Sequence, residues 1–235
     1  MTIRRSSILP AFAALLLCAC GSEADVAEPP VRDAAAGPPA DAMPVTGPER
    51  RIVAFGDSLF AGYNLAEDEG YPEVLERELR AEGIDATVVD AGVSGDTTAA
   101  GRQRLEFTLD SQEAKPDLFI LELGGNDLLR GLSPAETRAN LTAMLETLRA
   151  REIPVLLMGM RAPPNYGPEF QQQFDAIYAE LSEEYGTRLV PFFLAGVFDQ
   201  PQLIQDDRIH PTAEGVATLV ANTKEQVVEA LPPQP

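Results

Sequence analysis

Ser58 and His210 are the two residues whose types could be joined into a reaction. A serine hydroxyl is a weak nucleophile until a base beside it removes its proton. The chain holds a single histidine, His210, in Asp207-Arg208-Ile209-His210-Pro211, so an imidazole base for Ser58 has no other source. Asp207 lies close enough before His210 that one turn would bring its carboxylate to the ring nitrogen facing away from the serine. Asp206 competes for that place, and Asp207 is favoured because adjacent turn residues point in different directions. Pro211 disfavours helical backbone at His210, which puts the imidazole just outside the positive end of the closing helix. Candidate donors to an oxyanion are the backbone N–H of Ser58, the N–H of Gly95 in Ser94-Gly95-Asp96-Thr97, and the amide of Asn126 in Gly124-Gly125-Asn126-Asp127. A nucleophile, a base, a carboxylate that orients the base and such donors are what acyl transfer requires.

Elements must bring these distant residues together. Ile52-Val53-Ala54-Phe55 is an apolar run that breaks into Gly56-Asp57-Ser58, as a buried parallel strand does where it passes into a loop. Similar runs occur at 86–91, 118–123, 153–160 and 188–192. Between them lie helical patterns: Tyr71 to Leu79, with Val74, Leu75 and Leu79 on one face; a second after Thr97; a long one opened by Ser133-Pro134-Ala135-Glu136, a capping-box sequence; Phe170 to Tyr185; and a last one opened by Pro211. Strands that are continuous apolar runs, alternating with helices, predict an α/β domain with a parallel sheet covered on both faces. Right-handed connections place every strand-to-helix loop on one sheet edge, where ligands bind in such folds. Ser58, Gly95, Asn126 and His210 would meet there.

Composition narrows the chemistry. The chain has 235 residues, 45% hydrophobic and 23% charged, ordinary usage for one domain with a full core. Asp and Glu number 37 against 18 Lys and Arg, a net charge of -19 that opposes nucleic acid as a partner. The two cysteines, Cys18 and Cys20, lie in the first twenty residues, so the domain has no thiol nucleophile, disulfide or zinc-thiolate site. One histidine also argues against a His-rich transition-metal centre, while an oxygen-only calcium or magnesium site is compatible with the composition.

Arg4 and Arg5 precede an apolar run from Ile8 to Ala19. At roughly a dozen residues it is too short for a bilayer core of about 30 Å and is proportioned like an export signal. Leu17-Cys18-Ala19-Cys20-Gly21 resembles the bacterial lipobox, which implies lipidation of Cys20 and removal of residues 1–19. Gly21 after the cysteine resembles the outer-membrane sorting pattern, so the expected location is the cell envelope, at the outer membrane and facing the periplasm. Residues 20–49, dense in Ala, Pro and acidic residues, read as a disordered tether, and residues 50–235 as the catalytic domain, expected to be a monomer.

Gly56-Asp57-Ser58-Leu59, Gly95, Gly124-Gly125-Asn126-Asp127 and Asp207-Arg208-Ile209-His210-Pro211 resemble, in order, the four blocks of the SGNH (GDSL) hydrolase superfamily. Ser94-Gly95-Asp96-Thr97, Glu122-Leu123 and Pro163-Pro164-Asn165-Tyr166-Gly167 bring the chain closer to its arylesterase, thioesterase I and lysophospholipase L1 branch. The resemblance implies a flavodoxin-like three-layer sandwich with a five-strand parallel sheet. It also implies catalysis by Ser58, Asp207 and His210, an oxyanion hole from Ser58, Gly95 and Asn126, and no cofactor. Leu59, Asp127, Arg161, Ala162 and Pro163 are expected to contact an acyl ester or lysophospholipid. Ser58 is followed by Leu59-Phe60 and lacks the Gly-x-Ser-x-Gly elbow, which disfavours the α/β-hydrolase fold. Two other readings compete with an esterase: a carbohydrate O-deacetylase, and a surface lipoprotein that binds lipid without turning it over.

Overall fold

The computed structural model describes residue 45 and residues 47–233; the expected signal segment, Cys20 and most of the expected tether lie outside the described residues. Five parallel strands form one sheet in the order β2-β1-β3-β4-β5: β1 Arg50–Gly56, β2 Ala86–Gly92, β3 Leu118–Glu122, β4 Val155–Met158 and β5 Arg188–Val190. This is the flavodoxin-like order expected from the sequence. The chain reverses direction across the sheet between β1 and β3, which opens a crevice beyond their carboxyl ends. Ser58 follows β1 and Asn126 follows β3, so both are delivered to that crevice.

Helices cover both faces: α1 Tyr71–Ala81, α2 Thr98–Asp110, α3 Gly125–Leu129, α4 Pro134–Ala150, α5 Pro168–Tyr185 and α6 Ala213–Ala230. The central strands are buried on both sides, with Ile52, Phe55, Leu118, Ile120 and Leu157 fully covered, which is why they read as unbroken apolar runs. The predicted capping box is present: Ser133 accepts from the Glu136 N–H, while the Glu136 carboxylate accepts from the Ser133 N–H. The closing helix starts after Thr212, whose hydroxyl accepts from the Gly215 N–H, so Pro211 stands just before the cap and not inside the first turn.

The segment after β3 turns directly into α3, a five-residue helix where a loop was expected. Gly124 makes that turn at φ 123°, and a side chain there would meet the Tyr178 hydroxyl at 2.1 Å. Only glycine fits both the backbone angle and the space.

Candidate active site

The loop after β1 sets the serine. The Asp57 carboxylate is buried, and its Oδ1 accepts the Leu59 N–H at 3.0 Å, holding the tight turn that carries Ser58. Across the crevice, His210 Nε2 lies 2.8 Å from Ser58 Oγ. His210 Nδ1 lies 2.6 Å from Asp207 Oδ2. The other Asp207 oxygen accepts the N–H groups of Ile209 and His210 at 2.9 and 3.0 Å, so one carboxylate fixes both the loop and the ring. The geometry therefore pairs Asp207, not Asp206, with the histidine.

Burial pushes the Asp207 carboxyl up, but hydrogen bonds from the His210 ring and backbone and from Ile209 outweigh it and hold the group down to about 2. It is ionised wherever the imidazole is a useful base. Gln205 braces the same loop: its N–H donates to the His210 carbonyl at 2.8 Å and its amide to the carbonyls of Tyr63 and Pro211. The Tyr63 ring packs on His210 with centroids 4.4 Å apart.

The other two expected oxyanion donors sit on α3 and on the loop after β2. Asn126 is on α3 and its Nδ2 donates to Asp57 Oδ2 at 2.9 Å, which leaves the second amide hydrogen for the crevice. Gly95 takes φ 86° in the loop after β2. Its carbonyl accepts from Arg130 at 2.7 Å, and Arg104 ties the adjacent Asp96 to the Gly56 carbonyl at the end of β1. That loop is thereby locked to the serine turn. Among the described residues, the N–H groups of Ser58 and Gly95 have no protein acceptor.

A cleft of about 580 Å³ opens over the serine, lined by Ser58, Leu59, Ser94, Asn126, Arg161, Ala162, Pro163 and His210 among others, most of its wall apolar. Leu59, Arg161, Ala162 and Pro163 line this cleft. Asp127 does not. It is fully buried away from the cleft, and its carboxylate accepts from Thr98 N–H at 2.8 Å, Thr98 Oγ1 at 2.5 Å and Thr137 Oγ1 at 3.0 Å. Asp127 joins α2, α3 and α4 and is not among the residues that line the cleft; burying the carboxyl group is tolerated because each of its oxygens is hydrogen-bonded.

Three contributors were missed in the sequence. Asp57 was visible only as part of a turn, Tyr63 gave no signal, and Glu122 was concealed in an apolar strand. Glu122 is fully buried beneath the serine turn, with Oε2 accepting the Asp57 N–H at 3.3 Å and Oε1 without a partner among the described residues. Burial pushes the Glu122 carboxyl well above its ordinary range, and the adjacent Asp57 charge adds to this. Burial likewise raises Asp57, to about 6. Among the described residues no cluster of His, Cys, Asp and Glu is grouped to hold a metal ion, and no helix is long and apolar enough to cross a membrane.

Known proteins are similar to this chain over most of the domain. The esterase TesA of Pseudomonas aeruginosa is 42% identical over 73% of this chain and 84% of its own length. The thioesterase 1/protease 1/lysophospholipase L1 of Escherichia coli is 38% identical over 69% of this chain and 76% of its own. The crystal structure of AlinE4, an SGNH-hydrolase family esterase, is 61% identical and superposes with a TM-score of 0.68, covering 80% of this chain and 100% of that one. The model of the GDSL-like lipase/acylhydrolase family matches residues 54–217, from the strand that delivers Ser58 to the helix after His210, and the chain belongs to that family.

Proposed function

We propose that this chain is a serine hydrolase that cleaves carboxylic ester or thioester bonds of acyl substrates through an acyl-enzyme on Ser58. The observation that carries this reading is the unbroken relay from Ser58 Oγ to His210 Nε2 and from His210 Nδ1 to Asp207. His210 takes the hydroxyl proton as Oγ attacks the acyl carbonyl. The negative charge that develops on the carbonyl oxygen is met by the N–H groups of Ser58 and Gly95 and the Asn126 amide. His210 then returns the proton to the departing alcohol or thiol. Water, deprotonated by the same ring, releases the acid and restores the serine. The relatives named as esterases and as a thioesterase and lysophospholipase support the substrate class. Alanine mutants of one serine and one aspartate of AlinE4 have been solved, and those two residues are as far apart in that chain as Ser58 and Asp207 are here.

The apolar cleft favours a hydrocarbon acyl chain over an acetylated sugar, and the aligned relay favours turnover over simple lipid binding. Hydrolysis of medium-chain aryl esters by the wild type and by His210→Ala tests the reading. A drop of at least about a hundredfold is expected for loss of the base. Retention of more than a tenth of the rate refutes it.

Export and anchoring belong to the same proposal. The Leu17-Cys18-Ala19-Cys20-Gly21 stretch supports lipidation at Cys20, with residues 20–49 as a tether to the envelope membrane. Cys20→Ser is expected to abolish acyl labelling and release the protein from membranes; unchanged membrane retention contradicts the anchor.

A further inference from the structure

Glu122 ends β3 with a carboxyl fully buried beneath the serine turn, and it makes no ion pair with a described residue. Its Oε2 accepts the Asp57 N–H at 3.3 Å, whereas its Oε1 meets no N–H or hydroxyl donor among the described residues. The turn is shaped around it, since a side chain on Gly56 would lie 2.8 Å from Oε2. An ionised carboxylate in this place would be buried without a countercharge, which a folded protein avoids by keeping the proton.

The groups around Glu122 leave one destination for that proton. The Tyr178 hydroxyl of α5 donates to the Leu123 carbonyl at 2.9 Å, and Asp127 of α3 is engaged by Thr98 and Thr137. Arg104 of α2, the cation that reaches the serine turn, is engaged by Asp96 and the Gly56 carbonyl. Asp57 remains: its carboxyl is within hydrogen-bonding reach of the Glu122 carboxyl, and His210 acts on it from the cleft side. Two carboxylates only accept, so a bond between them needs one proton. Asp57 is the better anion of the two, because the Leu59 N–H and the Asn126 amide both donate to it while Glu122 receives only the Asp57 N–H. The proton therefore resides on Glu122 and the charge on Asp57.

We propose that Glu122 is a positioning residue for catalysis: it keeps its proton, donates it to Asp57, and so holds the Asp57 carboxylate where it aims the Asn126 amide and fixes the Ser58 turn. This inference rests on the ester-hydrolase reading of the same cleft. Burial raises the Asp57 carboxyl, and the donors Leu59, Asn126 and Glu122 limit the rise to about 6. With the Glu122 donor removed, Asp57 takes up a proton at higher pH and loses its charge-assisted hold on Asn126.

The test has a spectroscopic and a kinetic arm. A protonated carboxyl has an infrared C=O band that a carboxylate lacks. At about pH 8, where exposed acids are ionised, the wild type is expected to keep such a band, Glu122→Gln to lose it, and Asp57→Ala to shift it as the acceptor disappears. No band in the wild type, survival of the band in Glu122→Gln, or an unshifted band in Asp57→Ala overturns the proposal. In the kinetic arm, kcat for a neutral aryl ester is followed between about pH 5 and 8. Glu122→Leu is expected to lower kcat roughly tenfold with KM little changed, and to move the acid limb of the profile to higher pH. Glu122→Gln, whose amide accepts from the Asp57 N–H and donates to the Asp57 carboxylate, recovers most of the rate and the parent limb. A loss in Glu122→Leu that is equal at every pH, or the absence of rescue by glutamine, marks a packing role and contradicts the assignment. Failure of the hydrolase reading looks different: the wild type would hydrolyse no ester, while the infrared band is read without substrate.

Discussion

The side-chain amide of Asn126 donates to the Asp57 carboxylate across 2.9 Å, so the residue next to Ser58 holds in place the amide proposed as an oxyanion donor. The loops after β1 and β3 are thereby coupled through one hydrogen bond, and Asp57 serves as a positioning residue. Asn126→Ala is expected to lower kcat by about a hundred- to a thousandfold with a smaller change in KM, the signature of a contact that strengthens in the transition state. Asp57→Ala should share that pattern at smaller amplitude, because the amide remains but is no longer aimed. Steady-state kinetics on one aryl ester checks both, and a change confined to KM contradicts the assignment.

Asp207 should matter through the ring it orients. Asp207→Asn keeps the shape but loses the charge that stabilises the imidazolium, and is expected to reduce kcat by roughly 10² to 10⁴. Asp206→Asn should stay within about twofold of the parent, since no hydrogen bond joins Asp206 to the ring in the structure. Parallel losses in the two variants, read from initial rates, contradict the pairing.

Asp127 gives a prediction about stability. Its carboxylate holds the first turn of α2 and the Thr137 hydroxyl of α4 to α3. Asp127→Ala strands these buried donors and is expected to cost about 2–4 kcal/mol, several degrees in Tm for a domain of this size. Thermal unfolding measures it directly, and an unchanged Tm contradicts the structural role.

The buried pair Asp57 and Glu122 makes stability depend on pH with a definite sign. Burial raises both carboxyls, Asp57 to about 6, so the folded state binds protons that the unfolded chain has already released. Their favourable contribution is complete below about pH 4; that of Asp57 is lost as pH rises through about 6, and that of Glu122 as pH rises through its own raised value. Asp207, held down to about 2, works oppositely: its contribution is present above about pH 4 and is lost as pH falls toward 2. Glu122→Gln removes the charge that the fold excludes. The variant should therefore be more stable than the parent at pH 8, with the difference shrinking toward pH 5. A Tm difference that is constant with pH contradicts this.

The sequence carried the fold and the relay for physical reasons. Strands buried on both faces are continuous apolar runs, as in Leu118 to Leu123, and the Ser133 cap obeys a rule local to four residues. A single histidine left the base without a competitor. What escaped was direction: Asp127 beside Asn126 reads the same whether it faces substrate or core, and only the Thr98 and Thr137 donors decide it. Glu122 escaped because one acid in an apolar strand carries no sign of burial, and α3 because five residues are too few to show a helical period.

The central claim is that Ser58 is activated by His210. Mass spectrometry of the protein after brief exposure to a fluorophosphonate tests it most directly, because the adduct forms only on an activated hydroxyl and can be mapped to a peptide. The expected result is one adduct per chain on the peptide containing Ser58, and loss of the adduct in His210→Ala while the thermal melt still shows a folded protein. Labelling of Ser58 at the parent rate in folded His210→Ala would contradict it.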